Sequence, residues 1–249
     1  MPRTVQVHLL PQHIDPAALS GGIAIIVDQL RASTTICAAL HSGAKQVIPV
    51  LEPDEAQRIK AAAPPGTVLT GGERHGVLIP GFDLDNSPRA YTPERVAGKA
   101  IAFTTTNGTR AVLHAEHASG ILIGCLANLT AVVRTLAPDP RPVHILCAGT
   151  NGKVAPEDVL VGGAIAAHLA HARNDTQSSP DDNTLLALTQ WRAASASPAG
   201  ILAAIRAAQG GRNLIEIGMH EDVEYCARLD ILPIVPDWNS ASRSFIAAK

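Results

Sequence analysis

One carboxylate, one guanidinium and three hydroxyls fall within eight residues in Asp28-Gln29-Leu30-Arg31-Ala32-Ser33-Thr34-Thr35. Such a set can serve a hard cation together with the oxyanion it accompanies. Asp28 would take the cation, while Arg31, Ser33, Thr34 and Thr35 take the anion. The competing reading makes Asp28 a helix cap and Arg31 a surface residue. A second polar run, Thr104-Thr105-Thr106-Asn107-Gly108-Thr109-Arg110, has more hydroxyl and amide side chains than one cap needs. Thr106, Asn107, Gly108 and Thr109 are therefore read as phosphate or substrate contacts. In Gly71-Gly72-Glu73-Arg74, paired glycines let the backbone approach closely while Glu73 and Arg74 project into shared space. Glu157 and Asp158, after Pro156, are either first-turn acids favoured by a helix dipole or metal ligands.

Taken together, Asp28, Arg31, Glu73 and Arg74 form the candidate catalytic group, and Asp28, Glu73, Glu157 and Asp158 the candidate metal ligands. Oxygen donors without a His/Cys cluster suit Mg²⁺ better than Zn²⁺. That inventory fits phosphate ester chemistry, where positioning and charge neutralisation do most of the catalysis. Competing motifs fail on particular residues. Gly152-Lys153 is followed by Val154 where a P-loop needs Ser or Thr. Asp83-x-Asp85 resembles the aspartates of haloacid-dehalogenase phosphatases but lacks the buried strand they require. His114/His117 and His168/His171 have helical spacing without a third ligand. No Gly-x-Gly-x-x-Gly follows any expected strand, which argues against a dinucleotide enzyme.

Each polar turn needs a strand behind it. Ile23–Val27 is five apolar residues, the pattern of a strand covered on both faces. Further strands are expected at Val5–Leu9, Lys45–Val50, Thr67–Leu69, Ala100–Phe103, Ile121–Cys125, Val143–Cys147, Asn213–Ile217 and Ile231–Val235. Helices are expected between them, including Pro53–Ala63, Pro156–His171, Leu185–Ala194, Ile201–Gln209 and Asp222–Leu229, with Arg173–Asn183 an exposed loop. Strand–helix alternation predicts a single α/β domain over residues 1–249, a mostly parallel or mixed sheet with helices on both faces. The strands before Asp28, Thr104, Cys125 and Ala148 should be neighbours whose exits share one edge.

Composition narrows the partners. Hydrophobic residues make up 46% and charged residues 17%, enough for a sizeable core, and aromatics are only 3%. With a net charge of −2 and no basic run, neither nucleic acid nor membrane is expected as partner. Cys37, Cys125, Cys147 and Cys226 are widely spaced, as buried thiols of a cytoplasmic protein would be. The first residues start a polar–apolar alternation, and no signal peptide is expected.

The chain resembles the 2-phosphosulfolactate phosphatases, the ComB-like proteins. The likeness rests on Asp28–Thr35, Gly71-Gly72-Glu73-Arg74, Gly81-Phe82-Asp83 with Asn86-Ser87-Pro88, Thr104–Arg110, and Cys147-Ala148-Gly149 with Glu157-Asp158. It continues through Gly211-Arg212-Asn213-Leu214 to Pro236, nearly the whole chain in order. The resemblance implies a Mg²⁺-dependent α/β phosphatase that converts 2-phospho-3-sulfolactate to 3-sulfolactate and phosphate, in some organisms for coenzyme M biosynthesis. A small phosphorylated or sulfonated acid is the expected partner, with a homo-oligomer possible. Gln29 and Asp85 depart from the family pattern, and Asp85 adds negative charge near a dianion site. The second functional reading is a non-catalytic binder of the same metabolite class.

Overall fold

The computed structural model describes residues 4–174, 179–197 and 199–248. Strands are β1 (Val5–His8), β2 (Ile23–Val27), β3 (Gln46–Pro49), β4 (Val68–Arg74), β5 (Val77–Leu78) and β6 (Ala100–Thr104). The remainder are β7 (Gly120–Ile123), β8 (Val143–Cys147), β9 (Pro236–Asn239) and β10 (Ser244–Ala247). Helices are α1 (Ala32–His41), α2 (Pro53–Ala62), α3 (Pro93–Val96), α4 (Gly108–His114) and α5 (Leu129–Leu136). They continue with α6 (Pro156–Ala172), α7 (Asp182–Ser195), α8 (Gly200–Ala207), α9 (Gln209–Glu216) and α10 (His220–Cys226). None of the described helices is long and apolar enough to cross a membrane.

Strands β2, β6 and β8 are buried along their whole length, as their apolar runs require. Period-two alternation then sorts their side chains between layers. Ile23, Ile25 and Val27 join Val143, Ile145 and helices α5, α6 and α7 in one core. Ala24 and Ile26 join α1 and α4 in a second core, which also receives Val47, Ile101 and Phe103 from β3 and β6. Ala100 and Ala102 turn the other way, onto Ala56 of α2. Helices α1 and α4 therefore lie between two blocks of sheet.

The strand order is β1-β8-β2-β7-β9-β10-β3-β6-β4-β5. Parallel blocks β1-β8-β2-β7 and β3-β6-β4 are joined through the antiparallel β9–β10 hairpin. Here the structure corrects one expectation. Strands β2, β7 and β8 are neighbours, but β6 belongs to the other block, and the antiparallel joins reverse its direction. A flat sheet would send the exits of β2 and β6 to opposite edges. Twist of about 20–25° per strand pair accumulates to roughly 100° over the intervening steps. Each join to the hairpin is a single residue pair, Leu122 with Asp237 and Phe245 with Val47, so little resists the rotation. The two exits meet at one cavity, lined by Asp28 after β2 and by Thr105, Thr106 and Asn107 after β6.

Three further expectations change. The strand read as Thr67–Leu69 runs on through Gly71-Gly72-Glu73-Arg74, pairing Val68 with Ala100 and Gly72 with Thr104. The glycines signalled a loop, yet they are what lets β4 lie there. Gly72 has φ +138, and a Cβ on it would overlap the Thr104 backbone. Asn213–Ile217, expected as a strand, lies in α9 and its C-cap, with Leu214 turned inward and Ile215 and Ile217 partly exposed. Ile231–Val235 is not a strand, since Pro233 breaks it and pairing begins only at Pro236. Of the loop read at Arg173–Asn183, residues 175–178 lie outside those described, and α7 already begins at Asp182 with Asp181 as its cap.

Candidate active site

Asp28 leaves β2 at the floor of a cavity of about 430 Å³. Arg31, Glu73, Asn86, Thr105, Thr106 and Asn107 also line it, and its walls include Leu30, His75, Asn151, Asn213, Leu214, Glu216 and Ile217. The opening turn is built by its own hydroxyls. Ser33 Oγ accepts from the Asp28 N–H at 2.8 Å, Thr34 Oγ1 donates to the Gln29 carbonyl, and Thr35 Oγ1 donates to the Asn86 carbonyl at 2.9 Å. All three hydroxyl residues are buried away from the cavity. Thr34 and Thr35 thus lie behind the cavity, and Ser33 borders a smaller void beside Asp28.

Arg31 does reach the cavity wall, already committed. Its Nη1 donates to Asp222 Oδ2 at 2.5 Å and its Nη2 to the Gly76 carbonyl at 2.8 Å. Asp222 Oδ1 in turn accepts from Ser87 Oγ at 2.7 Å. Arg74 turns away from the cavity and clamps backbone, donating to the carbonyls of Glu73 and Leu51 and to Thr104 Oγ1. Glu73 faces in: Oε1 accepts from the Thr106 N–H and hydroxyl at 3.1 and 3.0 Å, and Oε2 from the Gly76 N–H at 2.7 Å. Asn107 Oδ1 accepts from the Asn151 N–H at 3.0 Å, tying the exits of β6 and β8 together. Gly108 presses on Asp28, so that a Cβ there would lie 2.9 Å from Asp28 Oδ2. Thr109 is buried beside Asp28 and Gly108 in a smaller void.

The remaining acids stand behind the floor. Asp158 accepts from the N–H groups of Gln29 at 2.8 Å and Gly149 at 2.9 Å. Glu157 takes the Gly210 N–H, while its Oε2 is buried with no hydrogen-bond partner. Burial, then the neighbouring Glu73 carboxylate, pushes Asp28 up to about 7. Burial followed by the charges of Asp28 and Glu157 pushes Asp158 up as well, and burial raises Glu157. Glu73 and Glu157 thus disfavour charge on Asp28, and Asp28 and Glu157 disfavour it on Asp158. Two of the four carboxylates are exposed to the cavity, and two are held by backbone N–H groups beneath it.

Sequence reasoning missed Asn86 and Thr105 as cavity residues, along with the α9 wall. Asn86 stood inside a resemblance motif and Thr105 inside the polar turn, so both had a signal. The α9 wall had none, because its segment read as a strand. Fold and site now define a class: an α/β protein with an acidic pocket where strand exits converge. Comparison with known proteins agrees. The 2-phosphosulpholactate phosphatase family model matches residues 8–241. A probable 2-phosphosulfolactate phosphatase of Symbiobacterium thermophilum is 43% identical over 225 residues, 90% of this chain and 94% of the relative. Proteins of the same description are 39% identical in Caldanaerobacter subterraneus, covering 85% and 86%, and 38% identical in a Synechococcus species, covering 91% of each. The chain belongs to the 2-phosphosulpholactate phosphatase family and is a phosphoric monoester hydrolase.

Proposed function

We propose that the chain hydrolyses 2-phospho-3-sulfolactate to 3-sulfolactate and phosphate with Mg²⁺ as cofactor. The observation that carries this reading is the cavity's charge balance. Asp28, Glu73 and Glu216 line it, and its lining guanidinium, Arg31, is already paired with Asp222. An ester bearing phosphoryl, sulfonate and carboxylate groups adds further negative charge, so a cation has to stand between ester and carboxylates. Among the described residues no three His, Cys, Asp or Glu side chains close on one point. Mg²⁺ suits such a site, because it keeps waters and takes one or two carboxylates plus substrate oxygens. Asp28 and Glu73 would hold it, with Glu157 and Asp158 deepening the negative potential from below. The unpartnered Glu157 Oε2 is a buried acceptor whose charge such an ion offsets.

When bound, Mg²⁺ supplies the charge that polarises the phosphoryl group and lowers the cost of activating water. The chain's own residues hold the ester. Glu73 fixes Thr106 through two hydrogen bonds, and Asn151 fixes Asn107 through Oδ1, which keeps the Asn107 N–H pair for phosphoryl oxygens. Donors held in advance stabilise charge at little reorganisation cost. Water adds to phosphorus as the bond from phosphorus to the C2 oxygen breaks, one of the water's protons passes to that oxygen, and hydrogen phosphate and 3-sulfolactate leave. Arg31 shapes the wall as one half of a neutral pair.

Phosphate release from 2-phosphosulfolactate, phospholactate and p-nitrophenyl phosphate tests this directly. The sulfonated ester should have the highest kcat/KM, and EDTA-stripped protein should regain activity with Mg²⁺ or Mn²⁺. Zinc-selective chelation should leave the rate unchanged. Full activity in excess EDTA would remove the metal from the mechanism. Equal kcat/KM on all three esters would remove the substrate assignment.

A further inference from the structure

Few buried side-chain atoms among the described residues lack a hydrogen-bond partner, and Asn86 Oδ1 and Thr105 Oγ1 are two of them. Both residues line the cavity, and they are only 4% and 5% exposed. Buried polar groups are nearly always satisfied, so each exception needs a reason. Asn86 uses only its backbone internally, where the carbonyl accepts from Thr35 Oγ1. Its side-chain amide bonds to nothing among the described residues. A residue kept for packing would be apolar here. The orphaned Oδ1 is an acceptor and cannot meet an anion, but the amide Nδ2 beside it also makes no hydrogen bond among the described residues, so its N–H groups are left for a ligand in the cavity that Asn86 lines.

The two orphans sit in different electrostatic surroundings. Asn86 adjoins Ser87, whose hydroxyl bonds the Asp222 that neutralises Arg31, so charge is balanced there. Thr105 is at the acidic end. The point where a Gly108 Cβ would stand is 2.9 Å from Asp28 Oδ2 and 3.3 Å from Thr105 Oγ1. Hydroxyl and carboxylate therefore both crowd the same glycine, close enough that it can carry no side chain without a shift.

We propose that Thr105 and Asn86 hold the two ends of the substrate. Thr105 donates to a phosphoryl oxygen beside Asp28, and the Asn86 amide donates to the remote sulfonate or carboxylate. Asn86 is then the residue that selects esters carrying a second anion. This assignment rests on the phosphate-ester reading above. A neutral amide gives a charge-assisted hydrogen bond to an oxyanion without adding a buried charge.

The test compares Asn86→Ala, Asn86→Asp, Thr105→Val and Thr105→Ser with wild type on 2-phosphosulfolactate and p-nitrophenyl phosphate. Calorimetric titration of 3-sulfolactate with Mg²⁺ present is run alongside. Asn86→Ala should lose about tenfold more kcat/KM on the sulfonated ester than on the aryl ester, through KM. Asn86→Asp keeps the shape but sets like charge against the anion, and should abolish calorimetric binding. Thr105→Val should lower kcat on both esters by about tenfold, and Thr105→Ser should restore it. Because the Asn86 amide has no internal partner, Asn86→Ala should melt as wild type does. Equal losses on both esters for Asn86→Ala, or wild-type binding of 3-sulfolactate by Asn86→Asp, would overturn the Asn86 assignment. Wild-type kcat in Thr105→Val would overturn that of Thr105. A wild-type protein that hydrolyses neither ester defeats the phosphatase reading instead, and calorimetry on the Asn86 variants still decides the binding role.

Discussion

Arg31 carries a permanent charge into a wall where it is 2% exposed, and Asp222, 1% exposed, compensates it. Removing one member of such a pair leaves the other uncompensated, at a cost of about 3–5 kcal/mol. Arg31→Met should therefore lower unfolding stability in urea by that order, and Arg31→Met with Asp222→Leu should recover much of the loss. Arg31→Lys keeps the charge, but one ammonium replaces a fork that reaches both Asp222 and the Gly76 carbonyl, so about 1–2 kcal/mol should go. Wild-type stability in Arg31→Met would contradict the buried pair. Spacing alone made Arg31 look like an oxyanion clamp. Its partner is 191 residues away, and no local pattern announces a contact at that separation. Ser33 and Thr34 bond backbone close by in sequence, as short hydroxyl side chains do, whereas Thr35 reaches the Asn86 carbonyl. Asp28 and Glu73 were legible because each ends or extends a strand that delivers it to the cavity.

Apolar runs made β2, β6 and β8 readable, because a strand buried on both faces needs nothing else to identify it. Strand β4 was hidden by the feature that allows it. Gly71 and Gly72 carry no β-propensity, yet Gly72 runs so close to the Thr104 backbone that no side chain fits. Gly72→Ala should cost about 2–4 kcal/mol, combining a disfavoured positive φ with a backbone overlap. Glu73 is the next residue along β4, so activity should fall in the fraction that stays folded. Thermal melting and phosphate release on the same sample check both effects. A variant with wild-type melting and wild-type rate would mean that β4 can move aside without moving Glu73. The C-terminal hairpin escaped detection because Pro236-Asp237-Trp238-Asn239 has little of a strand's composition, and pairing alone makes it one.

Across the whole molecule, the outer seam of the larger block closes where β1 pairs with β8 and α7 packs on β1, Val7 N–H donating to Thr184 Oγ1 at 2.9 Å. His8 and His144 stack across this seam with ring centroids 5.4 Å apart and Nε2 to Nδ1 at 3.2 Å. Burial, and next the neighbouring His144, lowers His8 from its ordinary 6.5 to about 4. Burial lowers His144 too. The unfolded chain therefore binds more protons than the folded one between these values, so stability rises with pH through that window. This contribution is complete above about 6.5 and is lost as pH falls toward about 4. The carboxylates near Asp28 are pushed up and titrate in the opposite sense, so the seam is isolated only as a difference between variants. Melting temperature should fall more steeply for wild type than for His8→Gln between pH 6.5 and 5, and the two curves should run parallel above pH 7. Parallel curves throughout would show that the imidazole pair takes its protons within the folded protein as readily as outside it.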